Sequence, residues 1–293
     1  MSVVARPSQP STLLLPSDEA VLRDLARYYF LSAHQVCRLH YSRGSLTYVQ
    51  TKLKRLTDAA FCQRIWLPRP SARGSAPSIY TLGRKGLLHL QTLGVEVATR
   101  ARASEHREHS YLFLSHTLAV NDFLIAAELV ARQRPGLTLA AMLHERDLKR
   151  APVVVEGADG TRMGVVPDGW LDLRIDGSYQ VCLALELDMG TEEQKAWRRK
   201  VRGLVAYANG PYQEAFATRS LTIAVATTAG GKRLLDLVRW TERELAAMRE
   251  EHQGDLFVFT SFYPATTSPG SLFFSPCWVS PFAEHPVALI APE

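Results

Sequence analysis

Cysteine is scarce in this chain of 293 residues: four, at Cys37, Cys62, Cys182 and Cys277, too far apart for metal-ligand spacing or a disulfide framework. That points to reduced thiols in a bacterial-type cytoplasm. No apolar run approaches the roughly 18 residues needed to span a bilayer. The early TLLLP is too short for a signal-peptide core and has only Arg6 before it, so neither export nor membrane attachment is expected. A phosphate-binding glycine loop is missing as well, because GVEVATR and TTAGGKR lack the required order and the second offers at most a weak anion site at a strand-to-helix turn. No arrangement supports Ser/His/Asp catalysis. Strong net charge is also absent: 34 Lys and Arg against 29 Asp and Glu give +5 and a pI near 9.1. Such a balance tolerates a polyanionic partner without requiring one, so the placement of charge decides.

What is present is a soluble globular composition, 46% hydrophobic and 22% charged, with length enough for two domains. Residues 1–17 are rich in Pro and Ser and read as a loose arm. Ser17 looks like an N-cap, with Asp18 and Glu19 in the first turn of a helix carrying Val21, Leu22, Leu25, Tyr28 and Tyr29. Ser32 opens a short second helix with Val36 and Leu39 inward. The third helix has Leu46, Val49, Leu53 and Leu56 at the intervals of a buried stripe, leaving Thr47, Tyr48, Thr51, Lys54 and Arg55 on its outer side. CQRIWLP and SIYTL are short strands around a loop with Arg69 and Arg73, and GRKGLLHLQTLG is a closing helix. This is the order of a winged helix-turn-helix over residues 18–98. Its third helix would enter the major groove of double-stranded DNA, with the wing arginines on flanking phosphates. A helical domain with solvated charges that binds protein is the other reading of the same pattern.

Residues 99–110 form a charged connector, followed by an α/β domain over 111–263 and an irregular, proline-punctuated tail over 264–293. In the domain, RMGVVPDGWLDLRI and YQVCLALELD make an antiparallel hairpin turning at Gly177 and Ser178. Alternation puts Asp168 near the start of one strand and Glu186 and Asp188 on one face at the end of the next, so the acids converge. Carboxylates gathered at a sheet end suit Mg²⁺ or Mn²⁺, which can activate water beside a phosphodiester. Structural alternatives stand beside this: Glu186 paired with Arg198 or Arg199, and Asp188 as a helix-entry acid. On the following helix Lys200 borders the apolar stripe of Trp197, Val201, Leu204 and Val205, either leaning over the acids as a catalytic cation or covering apolar surface with its stem. Glu145 is a weaker candidate ligand, and His116 either reaches the site or is a half-buried structural histidine.

Pro167–Asp168, an acid at Glu186 and a flanking helix resemble the PD-(D/E)xK nuclease superfamily, except that Asp188 stands where that motif has lysine. The succession SHTLAVNDFL, PDGWLDL, LELDMGTE and RRKVRGLVAY is similar to the replication-relaxation family of plasmid and mobile-element proteins over about residues 18–230. That family shares the acid-x-Asp pattern. The resemblance implies a winged helix followed by a restriction-endonuclease-like α/β core and a role in plasmid replication, relaxation or transfer. It implies double-stranded DNA and replication or transfer proteins as partners, with a homodimer open. Whether the chain is an enzyme, a Mg²⁺- or Mn²⁺-dependent nickase with Asp168, Glu186 and Lys200, or a regulator with a degenerate core, stays open at this stage.

Overall fold

The computed structural model describes residues 13–67, 78–97, 110–157, 160–264 and 266–290. The wing arginines Arg69 and Arg73, nearly all of the 99–110 connector and most of the N-terminal arm lie outside the described residues. The protein mixes helix and sheet, as the α/β expectation requires, and divides into two compact units, residues 1–118 and 119–293.

In the first unit, α1 (Pro16–Tyr28), β1 (Leu31–Ser32), α2 (Ala33–His40) and α3 (Leu46–Asp58) precede β2 (Cys62–Trp66), β3 (Ser78–Leu82) and α4 (Arg84–Thr92). The three strands form an antiparallel sheet in the order β1-β3-β2. Val21, Leu22, Leu25 and Tyr28 of α1 and Val49, Leu53 and Leu56 of α3 are fully buried, as their helical spacing requires. Ser32 caps α2, accepting from the Gln35 amide, while Gln35 returns the bond to the Ser32 amide.

The start of α1 departs from expectation at its cap. Ser17 is not the N-cap of α1; the helix starts at Pro16, Leu15 is the cap residue, and the Leu15 amide donates to Asp18 Oδ2 at 3.0 Å. Asp18 lies in the first turn of α1, as expected, and is fully buried, accepting from Lys52 Nζ at 2.5 Å and Arg55 Nη2 at 2.6 Å. Lys52 Nζ also donates to Ser17 Oγ at 2.9 Å. Two of α3's cations therefore latch α3 to α1. Burial alone would push the Asp18 carboxyl up, but hydrogen bonds from Lys52, the Leu15 amide and Arg55 together hold it below its ordinary value.

The second unit begins inside α5 (Tyr111–Gln133) and continues through β4 (Leu137–His144), α6 (Glu145–Leu148), β5 (Val153–Glu156), β6 (Arg162–Val165), β7 (Gly169–Ile175) and β8 (Tyr179–Asp188). It then runs α7 (Gln194–Ala208), α8 (Pro211–Phe216), β9 (Thr222–Thr227), α9 (Gly231–Met248), β10 (Phe257–Ser261) and α10 (Pro269–Phe274). By length and composition α5 could cross a bilayer, although its sequence is broken by His116, Asn121 and Asp122; 67% of the apolar window is buried inside the protein. Five strands form one sheet in the order β10-β9-β8-β7-β4, parallel from β8 to β10 and antiparallel from β8 to β4. Successive parallel crossovers in one direction carry α7 and α9 to the same face. There Trp197, Val201, Leu204 and Leu237 pack on Ala184, Ile223, Val225 and Phe259.

The segment expected as a single strand from Arg162 to Ile175 is two. Pro167 has no N–H to donate to a ladder, so pairing stops, and β6 joins β5 in a separate two-stranded sheet. The hairpin turn uses Asp176 (φ 48°) and Gly177 (φ 68°) rather than Gly177 and Ser178, the left-handed Asp-Gly pair that a tight hairpin favours. The tail is less irregular than its prolines suggest: α10 follows Ser268, and Trp278 is fully buried against Phe123.

The Asp18 latch carries a prediction. Because the folded carboxyl titrates below its ordinary value of 3.8, its stabilisation is complete above that pH and is lost as pH falls through the folded value. Asp18→Asn should destabilise the protein at pH 7 by about 3 kcal/mol, by stranding the buried Lys52 ammonium. In urea unfolding the gap between variant and wild type should narrow as pH drops below 3.8.

Candidate functional site

The acids expected to converge are delivered by β8 and by the residue before β7. The register Gly169↔Leu185 sets Asp168 beside Glu186. Asp168 is fixed by its backbone: its N–H donates to the Leu185 carbonyl at 2.9 Å, and its carbonyl accepts from the Glu145 N–H at 3.0 Å. The Leu187 N–H donates to Asp168 Oδ2 at 2.7 Å. Glu186 is buried beneath α7, and Lys200 Nζ donates to Glu186 Oε2 at 2.9 Å. Glu192 Oε2 lies 3.5 Å from the same ammonium.

Burial pushes the Glu186 carboxyl up to about 7; the Lys200 charge opposes this and the Asp168 charge reinforces it. Burial works against the Lys200 ammonium, but Glu186, Asp168 and Glu192 together hold its pKa above the ordinary value. Glu186 is thus a carboxyl able to exchange a proton near neutral pH, as a general acid or base must.

Asp188 does not join that pair. It shares the face of Glu186, as alternation demands, but the parallel register places Thr227 opposite it, and Thr227 Oγ1 donates to Asp188 Oδ2 at 2.7 Å. Arg233 of α9 grips both carboxylate oxygens, Nη2 to Oδ1 at 2.7 Å and Nε to Oδ2 at 3.0 Å. The Gly190 N–H adds a bond to Oδ2 at 3.0 Å; Gly190 has φ +81°, and a Cβ there would lie 2.8 Å from Ala229 Cβ, so the turn requires glycine. The expected three-acid ligand set is therefore not assembled. Among the described residues no group of three or more His, Cys, Asp or Glu is placed to hold a metal ion.

Lys200 is brought to the acids from 14 residues beyond Glu186, over a cleft of about 700 Å³ between β6 and α7 whose lining includes Arg162, Glu192 and Arg199. Arg198, weighed as a partner for Glu186, instead reaches across to α9 and pairs with buried Glu244, as does Arg202 at 2.9 Å. Glu145 is held by Lys149 at 2.5 Å, and His116 is half-buried on α5. Arg233 was invisible in the sequence, because only the packing of α9 on the sheet brings it to β8.

The first unit has a second site. A cleft of about 520 Å³ is lined by Ser32, His34, Thr47, Gln50, Thr51, Lys54, Arg64, Trp66 and Tyr80, among others. Of the five residues expected to project from α3, Thr47, Thr51 and Lys54 line it. Tyr48 is exposed and packs edge-on against Tyr41, while Arg55 is consumed by Asp18. Sequence reasoning missed Gln50, Arg64 and Trp66. Gln50 completes the i, i+3, i+4, i+7 stripe Thr47–Gln50–Thr51–Lys54, and Arg64 and Trp66 alternate outward on β2, the Arg64 guanidinium lying 4.5 Å from the Trp66 ring centre. Both signals were present in the spacing.

The fold and sites thus define an α/β protein with a polar cleft on a helix and strand of its first unit and an acid–lysine cluster at a sheet end of its second. A family model described as replication-relaxation matches residues 22–221, and the chain belongs to that family. No curated protein and no solved structure matches it.

The two ion pairs should respond differently to loss of the cation. Arg233→Met strands a buried carboxylate held on both oxygens and should cost about 3–5 kcal/mol in urea unfolding at pH 7. Lys200→Met should cost less than half of that, because Glu186, already raised to about 7, can take up a proton.

Proposed function

We propose that this protein binds duplex DNA and acts in the replication or relaxation of a plasmid or mobile element, with its first unit as a winged helix-turn-helix. Membership of the replication-relaxation family supports the role. The observation that carries the DNA-binding reading is the cleft in which the exposed stripe of α3 and the Arg64–Trp66 edge of β2 face one space. A helix whose outer face is polar and whose inner face is locked down is what major-groove docking needs, and the flanking strand can supply phosphate contacts. Among the described residues Lys54 pairs only with exposed Asp58 at 2.6 Å, a bond weak enough to exchange for a phosphate. Replacing Lys54 and Arg64 together by alanine should weaken duplex binding about tenfold and lower the slope of log K against log salt by about 1–2. Unchanged affinity and slope in fluorescence anisotropy titrations would mean that this face recognises something else.

A second reading, DNA nicking by the second unit as in PD-(D/E)xK nucleases, is favoured by one observation: Lys200 contacts Glu186 beside Asp168, filling from α7 the place of the lysine that Asp188 replaces. With Asp188 committed to Arg233, Asp168 and Glu186 are the residues that would hold Mg²⁺ or Mn²⁺, an oxygen-donor pair suited to an ion that keeps several waters. Such an ion would supply activation of water and charge stabilisation on the scissile phosphate. Around it, Asp168 and Glu186 would stay ionised as ligands, and Lys200 would orient the Glu186 carboxylate. Wild type should nick supercoiled cognate plasmid with Mg²⁺ or Mn²⁺, and Asp168→Ala or Glu186→Ala should lower the rate at least a hundredfold. If wild type leaves the plasmid intact and calorimetry finds no metal binding, the core is a non-catalytic platform and the protein an accessory DNA-binding factor.

A further inference from the structure

Resting on the DNA-binding reading of the first unit, we infer that Gln50 is its base-reading residue and that it selects adenine. Several side chains of α3 are already committed within the protein. Lys52 and Arg55 are spent on Asp18, and the alkyl faces of Val49, Leu53 and Leu56 are in the core. On the exposed stripe, the Thr51 hydroxyl donates to the Thr47 carbonyl at 3.0 Å, and Lys54 is a point charge with an acidic neighbour, suited to a phosphate rather than a base edge. Gln50 is exposed at the middle of the stripe, lines the cleft, and makes no side-chain hydrogen bond among the described residues. Its amide therefore offers a donor and an acceptor together, the pair that meets N7 and N6 of adenine in the major groove.

Arg64 completes the division of labour. It makes no ion pair among the described residues, and its guanidinium lies 4.5 Å from the centre of the Trp66 ring, a cation–π contact that steadies a long side chain beside the groove. The strand edge thus positions the duplex, and the centre of α3 reads it.

The test is selection of bound duplexes from a random pool at fixed salt with the full chain. Wild type should enrich a motif with adenine at one position, disfavouring other bases there by about tenfold. Gln50→Ala should lose that preference, and Gln50→Arg should move the preference from adenine to guanine. Gln50 is exposed, so both variants should keep the wild-type melting temperature. A Gln50→Ala protein that enriches the same motif as wild type would overturn the assignment while leaving DNA binding intact. Failure of wild type to bind any duplex would instead overturn the reading on which it rests.

Discussion

The second unit depends on one electrostatic constraint: two carboxylates on one face of β8 are withdrawn from water, and each is answered by a cation from a different helix. A buried carboxylate without a partner is strongly disfavoured, so the positions of α7 and α9 are coupled to Glu186 and Asp188 as well as to the apolar face of the sheet. Arg198 and Arg202 repeat the device between the helices themselves, closing on buried Glu244. The apolar cluster of Trp197, Val201, Leu204, Leu237 and the strand residues supplies the bulk of the burial. The ion pairs fix where along the sheet the helices come to rest, since an apolar face tolerates sliding and a bidentate Arg233–Asp188 contact does not.

The two acids are not equivalent, and the difference is chemical. Asp188 is held on both oxygens by Arg233, with Thr227 and the Gly190 amide completing its shell, which makes it a structural ion. Glu186 has a single ammonium at the edge of an open cleft, with the charge of Asp168 beside it, and its proton affinity is raised toward neutrality. Environment has divided an acid-x-acid pair: one carboxylate builds the turn into α7, and the other faces an open cleft beside Asp168 and Lys200.

Charge in the first unit follows the same logic. Counting basic residues on α3 overstates what is available to a polyanion, because Lys52 and Arg55 neutralise the buried Asp18. What faces outward is a mostly neutral polar stripe, flanked by Lys54 and by Arg64 on the neighbouring strand. Such a surface gives up non-specific electrostatic attraction to a polyanion and keeps hydrogen-bonding groups.

The sequence by itself determined the elements and their faces. The period of α1 and α3, the cap at Ser32 and the alternation of β8 are local signals, set by helix and strand geometry over a few residues. Alternation alone put Glu186 and Asp188 on one face, whereas the border position of Lys200 on α7 left two placements open until packing brought it to Glu186. Only the tertiary structure decided which charges meet. Arg233 lies 45 residues from Asp188 and Arg55 lies 37 from Asp18, distances over which no periodicity speaks. Those pairings gave Asp188 partners of its own, apart from Glu186 and Asp168, and tied the Arg55 guanidinium to Asp18, because a buried charge takes whichever partner the packing of neighbouring elements brings within reach.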